Sequence, residues 1–181
     1  MAAGWNANVI VETWSKGGAV ATSIGLAVAS RHTSGRHVCI VPDEESKSEY
    51  AGAMERAGAS PEVVVGAPEE VIGDLAGIDF LVVDCRYHDF GRILRVAKLG
   101  QRGSVLVCKN ASSRDSSEFK WRGVLGGGSR LVRSVFLPVG KGLDIAHVGT
   151  SGGERSSSGK GKRRWIKHTD RESGEVFVIR K

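Results

Sequence analysis

No apolar run in this 181-residue chain is long enough to cross a bilayer as a helix. The first residues also lack the basic-then-apolar order of a secretory leader. Cysteine is scarce. Cys39, Cys85 and Cys108 each lie in or beside an expected strand and share no metal-ligand spacing. They read as buried, reduced thiols of a cytosolic or nuclear protein, not as a disulfide frame. Nucleotide signatures are missing too. Gly17-Gly18 lacks the Gly-x-Gly-x-x-Gly spacing of a dinucleotide site, and no Gly-Lys-Ser/Thr phosphate loop occurs. There is no internal repeat. Excess charge is confined to one end: residues 150–181 carry nine Lys/Arg against four Asp/Glu, which leaves the body close to neutral within a total of +6.

What is present is an alternation of strands and helices. With 40% hydrophobic residues, the chain can bury one substantial core. The organising stretch is Ile78–Asp84, an apolar run ending on a carboxylate. Such a run fits the middle of a parallel sheet covered on both faces, and ligands of open α/β sheets bind just past the carboxyl ends of the strands. Around it the pattern predicts strands at Asn8–Thr13, His37–Val41, Glu62–Val65 and Ser104–Cys108. It predicts helices over Ala19–Ser30, from the capping-box pattern Ser46–Glu49 to Ala57, over Glu69–Leu75, and over Asp89–Leu99. Arg92, Arg95 and Lys98 stripe the last of these, as a solvated basic face.

Leu131–Leu137 and Leu143–Val148 read as an antiparallel hairpin closing the sheet. The expected architecture is a Rossmann-like, doubly wound, mostly parallel seven-stranded α/β sheet with an antiparallel C-terminal hairpin. The α/β domain is expected over residues 1–149 and a basic Ser/Gly-rich loop over 150–164. Trp165–Thr169 and Val176–Arg180 form a last small hairpin, assigned to the same domain over 165–181.

Three segments carry a family likeness: Ile78–Asp84, Val107-Cys-Lys-Asn110 and Leu137-Pro-Val-Gly-Lys-Gly-Leu143. Over about Asn8 to Val148 the chain resembles class I S-adenosylmethionine-dependent methyltransferases, in particular the caffeoyl-CoA/catechol O-methyltransferase group. Through Ala3–Ala7, Gly25–Ala29 and Gly35–Asp43 it is similar to a plant family of methyltransferase-like proteins whose members usually begin with extra N-terminal helices. On that resemblance this chain is a shortened form. The resemblance implies a glycine-lined turn after the first strand, an acid gripping the cofactor ribose after the second, and a divalent metal held by two Asp and one Asn.

Residue by residue, the match is uneven. Glu12 and Gly18 fit the ends of the family's Glu-x-Gly-x-x-x-Gly turn, with Gly17 beside them, but Trp14 stands at the first glycine. Two readings stand open: the indole fills the methionine channel, or it turns outward and packs on a neighbouring helix. Val41 takes the place of the ribose-binding acid. Asp43, two residues on, substitutes for it or caps a helix. Gly66 and Ala67 follow the third strand and complete the expected cofactor set with Asp84.

Asp84 and Asn110 match two metal ligands, and Lys109 replaces the third. An ammonium and a single carboxylate suit a divalent ion poorly, so no metal is expected. A Lys109–Asp84 ion pair in its place, or a solvent-facing Lys109, are the alternatives. Asp84, Lys109 and Asn110 are the candidate catalytic residues, and His88 with Asp89 is a weaker acid–base pair.

The function expected is a metal-independent, S-adenosylmethionine-dependent methyltransferase-like protein acting on a small molecule. The alternative is a non-catalytic relative serving as a binding module. A further expectation is weak nucleic-acid contact through 155–165, where Lys160, Lys162, Arg163 and Arg164 adjoin Trp165.

Overall fold

The computed structural model describes residues 1–113, 121–125, 128–150, 165–169 and 176–180. Polar residues 114–120, and the basic segment 151–164 with its expected nucleic-acid contact, lie outside that set.

Seven strands build the main sheet: β1 (Val9–Thr13), β2 (Arg36–Val41), β3 (Glu62–Val65), β5 (Phe80–Asp84), β7 (Ser104–Lys109), β8 (Ser129–Leu137) and β9 (Leu143–Thr150). Their order is β3-β2-β1-β5-β7-β9-β8. The first five are parallel, and β9 runs antiparallel to both β7 and β8. The doubly wound sheet with an antiparallel closing hairpin is therefore the observed fold. Order reverses between β1 and β5, so the crevice for ligands opens above the carboxyl ends of those two strands.

Helices α1 (Ala21–Thr33), α2 (Glu44–Arg56), α3 (Pro68–Val71), α4 (Phe90–Val96) and α5 (Trp121–Val124) flank the sheet. Side-chain alternation sorts the core into two faces. Val11, Val38, Ile40, Leu81, Val83 and Leu106 pack with Ile72, Phe90, Ile93, Leu94 and Trp121. On the opposite face Ile10, Phe80, Val82, Val105, Val107 and Ile145 meet Leu26 and Ala29 of α1, while Cys39 and Val41 meet Tyr50 and Met54 of α2.

Element ends differ from expectation where side chains compete for backbone. α2 starts at Glu44 because Asp43, not Ser46, caps it: the Asp43 carboxylate accepts from Ser46 N–H at 2.7 Å. Glu69–Leu75 divides into α3 and a 3-10 turn at Ile72–Asp74. The organising stretch is split as well. Asp79 turns inward to accept from Asn8 and Val9 N–H groups, and Ile78 joins a short strand β4 (Ala76–Ile78). β4 pairs in parallel with β6 (Lys98–Leu99), which is why α4 stops at Val96 before reaching Lys98.

The reading of three reduced cysteines is corrected. Cys85 and Cys108 form a disulfide, with 6.2 Å between their Cα atoms, and only Cys39 is free. Cys108 pairs with Val83, two residues before Cys85, on adjacent strands. Spacing along the chain concealed that proximity.

Strands β10 (Trp165–Thr169) and β11 (Val176–Arg180) pair as the expected antiparallel hairpin. They belong to a compact unit of their own, Gly152–Lys181, distinct from Met1–Ser151.

Candidate functional site

β1 brings its polar end to the crevice in two directions. Glu12 shares a face with Ile10, so its carboxylate enters the layer between the sheet and helices α1 and α2. It is 1% exposed. Tyr50 O–H donates to Glu12 Oε1 at 2.8 Å, Ser23 Oγ donates to Oε2 at 2.9 Å, and His37 Nε2 lies 3.0 Å from Oε1. Burial, then the Glu12 charge, raises the Tyr50 phenol pKa well above its ordinary value. Glu12 thus faces the interior and not the rim, where a cofactor-binding role was expected. Thr13, on the opposite parity, uses Oγ1 to accept from Asp84 N–H at 3.2 Å and ties the tips of β1 and β5 together.

Trp14 adopts neither of the two arrangements in full. It packs on a helix, as the second reading held, but inward: the ring is buried, 5.4 Å from the Tyr50 ring. Its Nε1 donates to Gly18 O at 3.1 Å. A Cβ on Gly18 would stand 2.9 Å from that nitrogen, so Gly18 is the room the indole occupies. Gly17 turns the chain with φ +74°. At the third strand end, Gly66 passes so close to Val71 that a Cβ would lie 2.6 Å from Val71 Cγ1. Ala67 next to it is the N-cap of α3. Val41 is buried and Asp43 is exposed.

The β5 and β7 tips carry the most concentrated polar cluster on the rim. Asp84 is 5% exposed. Its Oδ1 accepts from Arg86 N–H at 3.0 Å, Arg86 Nε at 3.2 Å and Asn110 Nδ2 at 2.8 Å, while Oδ2 accepts from Arg86 Nη2 at 3.0 Å. Asn110 reaches back because it adopts φ +54°, a left-handed conformation that asparagine tolerates. Burial pushes the Asp84 carboxyl up. The hydrogen bonds from Arg86 and Asn110, with the Lys109 charge, outweigh that and hold it below the usual carboxylate range.

The ion pair expected from Lys109 is therefore made by Arg86, which also lies over the Tyr87 ring at 4.9 Å. Arg86 was missed by sequence reasoning, although its position two residues past a strand-ending carboxylate was a usable signal. Lys109 instead lines an apolar trough on the α1 face.

The His88–Asp89 pair is also corrected. Asp89 caps α4 by accepting from Arg92 N–H at 3.1 Å. His88 lies across the crevice from Ser15, with Nε2 3.4 Å from Oγ. Burial lowers its pKa, against the raising influence of Glu69 and Asp84. A divalent metal does not fit the Asp84 cluster, since both carboxylate oxygens are engaged by a guanidinium and an amide N–H. Among the described residues no group of three His, Cys, Asp or Glu side chains could hold a metal ion. No described helix is long and apolar enough to cross a membrane.

Similar structures fix the fold family. A methyltransferase from Geobacter sulfurreducens matches with a TM-score of 0.64 at 22% identity, covering 82% of this chain and 74% of that one. The O-methyltransferase TomG from Streptomyces achromogenes, solved with S-adenosylmethionine, matches with a TM-score of 0.56 at 22% identity over 82% and 76%. An O-methyltransferase from Bacillus cereus, solved with S-adenosylhomocysteine, gives 0.54 at 19% over 81% and 76%. The fold is that of class I S-adenosylmethionine-dependent methyltransferases. No curated protein matches the chain. One family model, described as a protein of unknown function (DUF1442), matches residues 1–181. The chain belongs to the DUF1442 family.

Proposed function

We propose that this chain binds an S-adenosylmethionine-type ligand at the carboxyl edge of β1, β2, β3 and β5 and acts on a small molecule without a metal ion. The observation carrying the metal-free part is the Arg86–Asp84–Asn110 clamp, in which a fixed guanidinium stands where the resemblance implied a divalent cation. The ligand part rests on the fold, on the neighbours solved with S-adenosylmethionine or S-adenosylhomocysteine, and on what the rim offers. Val20 at the α1 N-cap supplies no side-chain acceptor, which leaves first-turn N–H groups for a carboxylate. Asp43 stays exposed for ribose hydroxyls.

Bound there, S-adenosylmethionine supplies an electrophilic methyl group. The chain's own residues would do the rest. Arg86 places positive charge where an acceptor hydroxyl becomes anionic. His88, kept neutral by burial, takes the proton. Isothermal titration calorimetry with S-adenosylmethionine and S-adenosylhomocysteine tests the reading. Binding unchanged by a chelator is expected, and no heat at millimolar ligand would end it.

A second reading is a non-catalytic binding module on the same fold. It is favoured by Glu12, whose carboxylate is spent on Ser23, His37 and Tyr50, and by Val41 at the ribose position. Methyl transfer that disappears in Asp84→Ala would rule it out. Weak nucleic-acid contact through 155–165 remains a separate proposal. RNA affinity that ignores salt, or survives deletion of 151–164, would sink it.

A further inference from the structure

The α1 face of the sheet is clad unevenly. α1 and α2 cover one half, while over β5, β7 and β9 the floor of Phe80, Val82, Val107 and Ile145 is bounded, among the described residues, by α1 and the turn at Met1–Ala3. The space left is a trough of about 440 Å³. That volume falls in the range of small-molecule sites, which are mainly apolar with few polar groups. Its α1 wall is open: Val28 is 47% exposed, and a Cβ added to Gly25 would touch nothing within 4 Å.

The polar groups are distributed by position. Thr22, in the first turn of α1, and Lys109, ending β7, stand at the carboxyl edge of the sheet, and His32 lies ten residues further along α1. At 1.5 Å per residue the trough is about 15 Å long. The Lys109 ammonium makes no ion pair or hydrogen bond with any described residue. Its neighbour Asp84 is already satisfied by Arg86 and Asn110.

The geometry points to a binding site for an anionic amphiphile, a carboxylate with an extended aliphatic tail, its head on Lys109 and Thr22 and its tail along Leu26, Phe80 and Val82. Charge complementarity selects this occupant: the Lys109 ammonium, unpaired among the described residues, stands at one end of an apolar slot and leaves a neutral ligand with nothing to offset its desolvation. A second copy of the chain would bring a second Lys109 to the same face. The tail runs along the α1 face, away from the crevice above β1, while the head end adjoins the Asp84 clamp through Lys109, the register partner of Asp84.

Dodecanoate and dodecanol, titrated into the whole chain by calorimetry, are the probes. Dodecanoate should bind and dodecanol should bind at least about tenfold more weakly, the difference one charge-assisted hydrogen bond makes. Lys109→Gln should erase that preference. Gly25→Leu should abolish binding while raising the melting temperature, because leucine fills open space and suits a helix better than glycine. Val28→Glu, at an exposed position, is the second blocking variant and should repel the carboxylate.

Several results would overturn the assignment: no dodecanoate binding to the unaltered chain, equal affinity for the alcohol, or full affinity in a folded Gly25→Leu or Val28→Glu variant. A dimer that Gly25→Leu converts to monomer would also overturn it, by making a second copy the occupant.

Discussion

Two carboxylates in this molecule are held in different settings. Glu12 and Asp84 lie near the carboxyl ends of neighbouring parallel strands. Glu12 meets three side chains from α1, α2 and β2 in the interior, and all four groups are buried. The Asp84 carboxylate meets Arg86 and Asn110 at the rim, where Arg86 is about one-third exposed, and Thr13 holds the Asp84 main-chain N–H. The interior cluster joins elements far apart in the chain, and the rim cluster fixes a loop next to the crevice. The comparison teaches that two carboxylates near the ends of neighbouring strands can serve different layers, one the core and the other the rim.

Breaking the interior cluster should produce the largest effect. Glu12→Ala leaves Ser23, Tyr50 and His37 without their common acceptor and should cost about 3–5 kcal/mol in denaturant unfolding. Next is Trp14→Gly, which introduces the glycine that the methyltransferase resemblance implies at this turn. It removes a buried indole and should cost about 3–5 kcal/mol with no gain in affinity for S-adenosylhomocysteine. A rise in affinity would mean that the ring obstructs the ligand. Third, Cys85→Ser removes a cross-link closing a loop of 23 residues, with an expected loss of about 2–4 kcal/mol. Alkylation of the unreduced, denatured chain should count one thiol, Cys39, and three after reduction.

The rim cluster should respond least in stability. Asp84→Asn is expected to cost under about 1 kcal/mol once solvent screening of Arg86 is allowed for. The pH dependence follows from the direction of the Asp84 shift. A carboxyl held below its ordinary pKa contributes stability above that value, about 3.9, and loses it as pH falls through the lower folded value. Asp84→Asn should therefore flatten part of the acid limb of the unfolding curve and leave the neutral region almost unchanged.

Much of the fold was legible because apolar runs and turn residues are local signals. β3 falls on the expected residues, and β1, β2 and β7 within one residue of them. The hairpin after Ser129 and the capping potential of Asp43 were equally visible. What escaped depended on contacts across strands. Nothing in the spacing from Cys85 to Cys108 discloses that parallel neighbours bring them together. Glu12 was assigned to the rim from its place at a strand end, although parity put it on the same face as His37 and Cys39, its neighbours on β2. Lys109 was paired with Asp84, and the two are indeed register partners on β5 and β7, but Arg86, two residues along the chain, takes both carboxylate oxygens.

The most direct test of the account is calorimetric titration of S-adenosylhomocysteine into the unaltered chain, once with magnesium and once with a chelator. Equal binding in both, abolished together with the Arg86 clamp in Asp84→Ala, is the predicted result. Binding that appears only with the metal, or none in either solution, would contradict it.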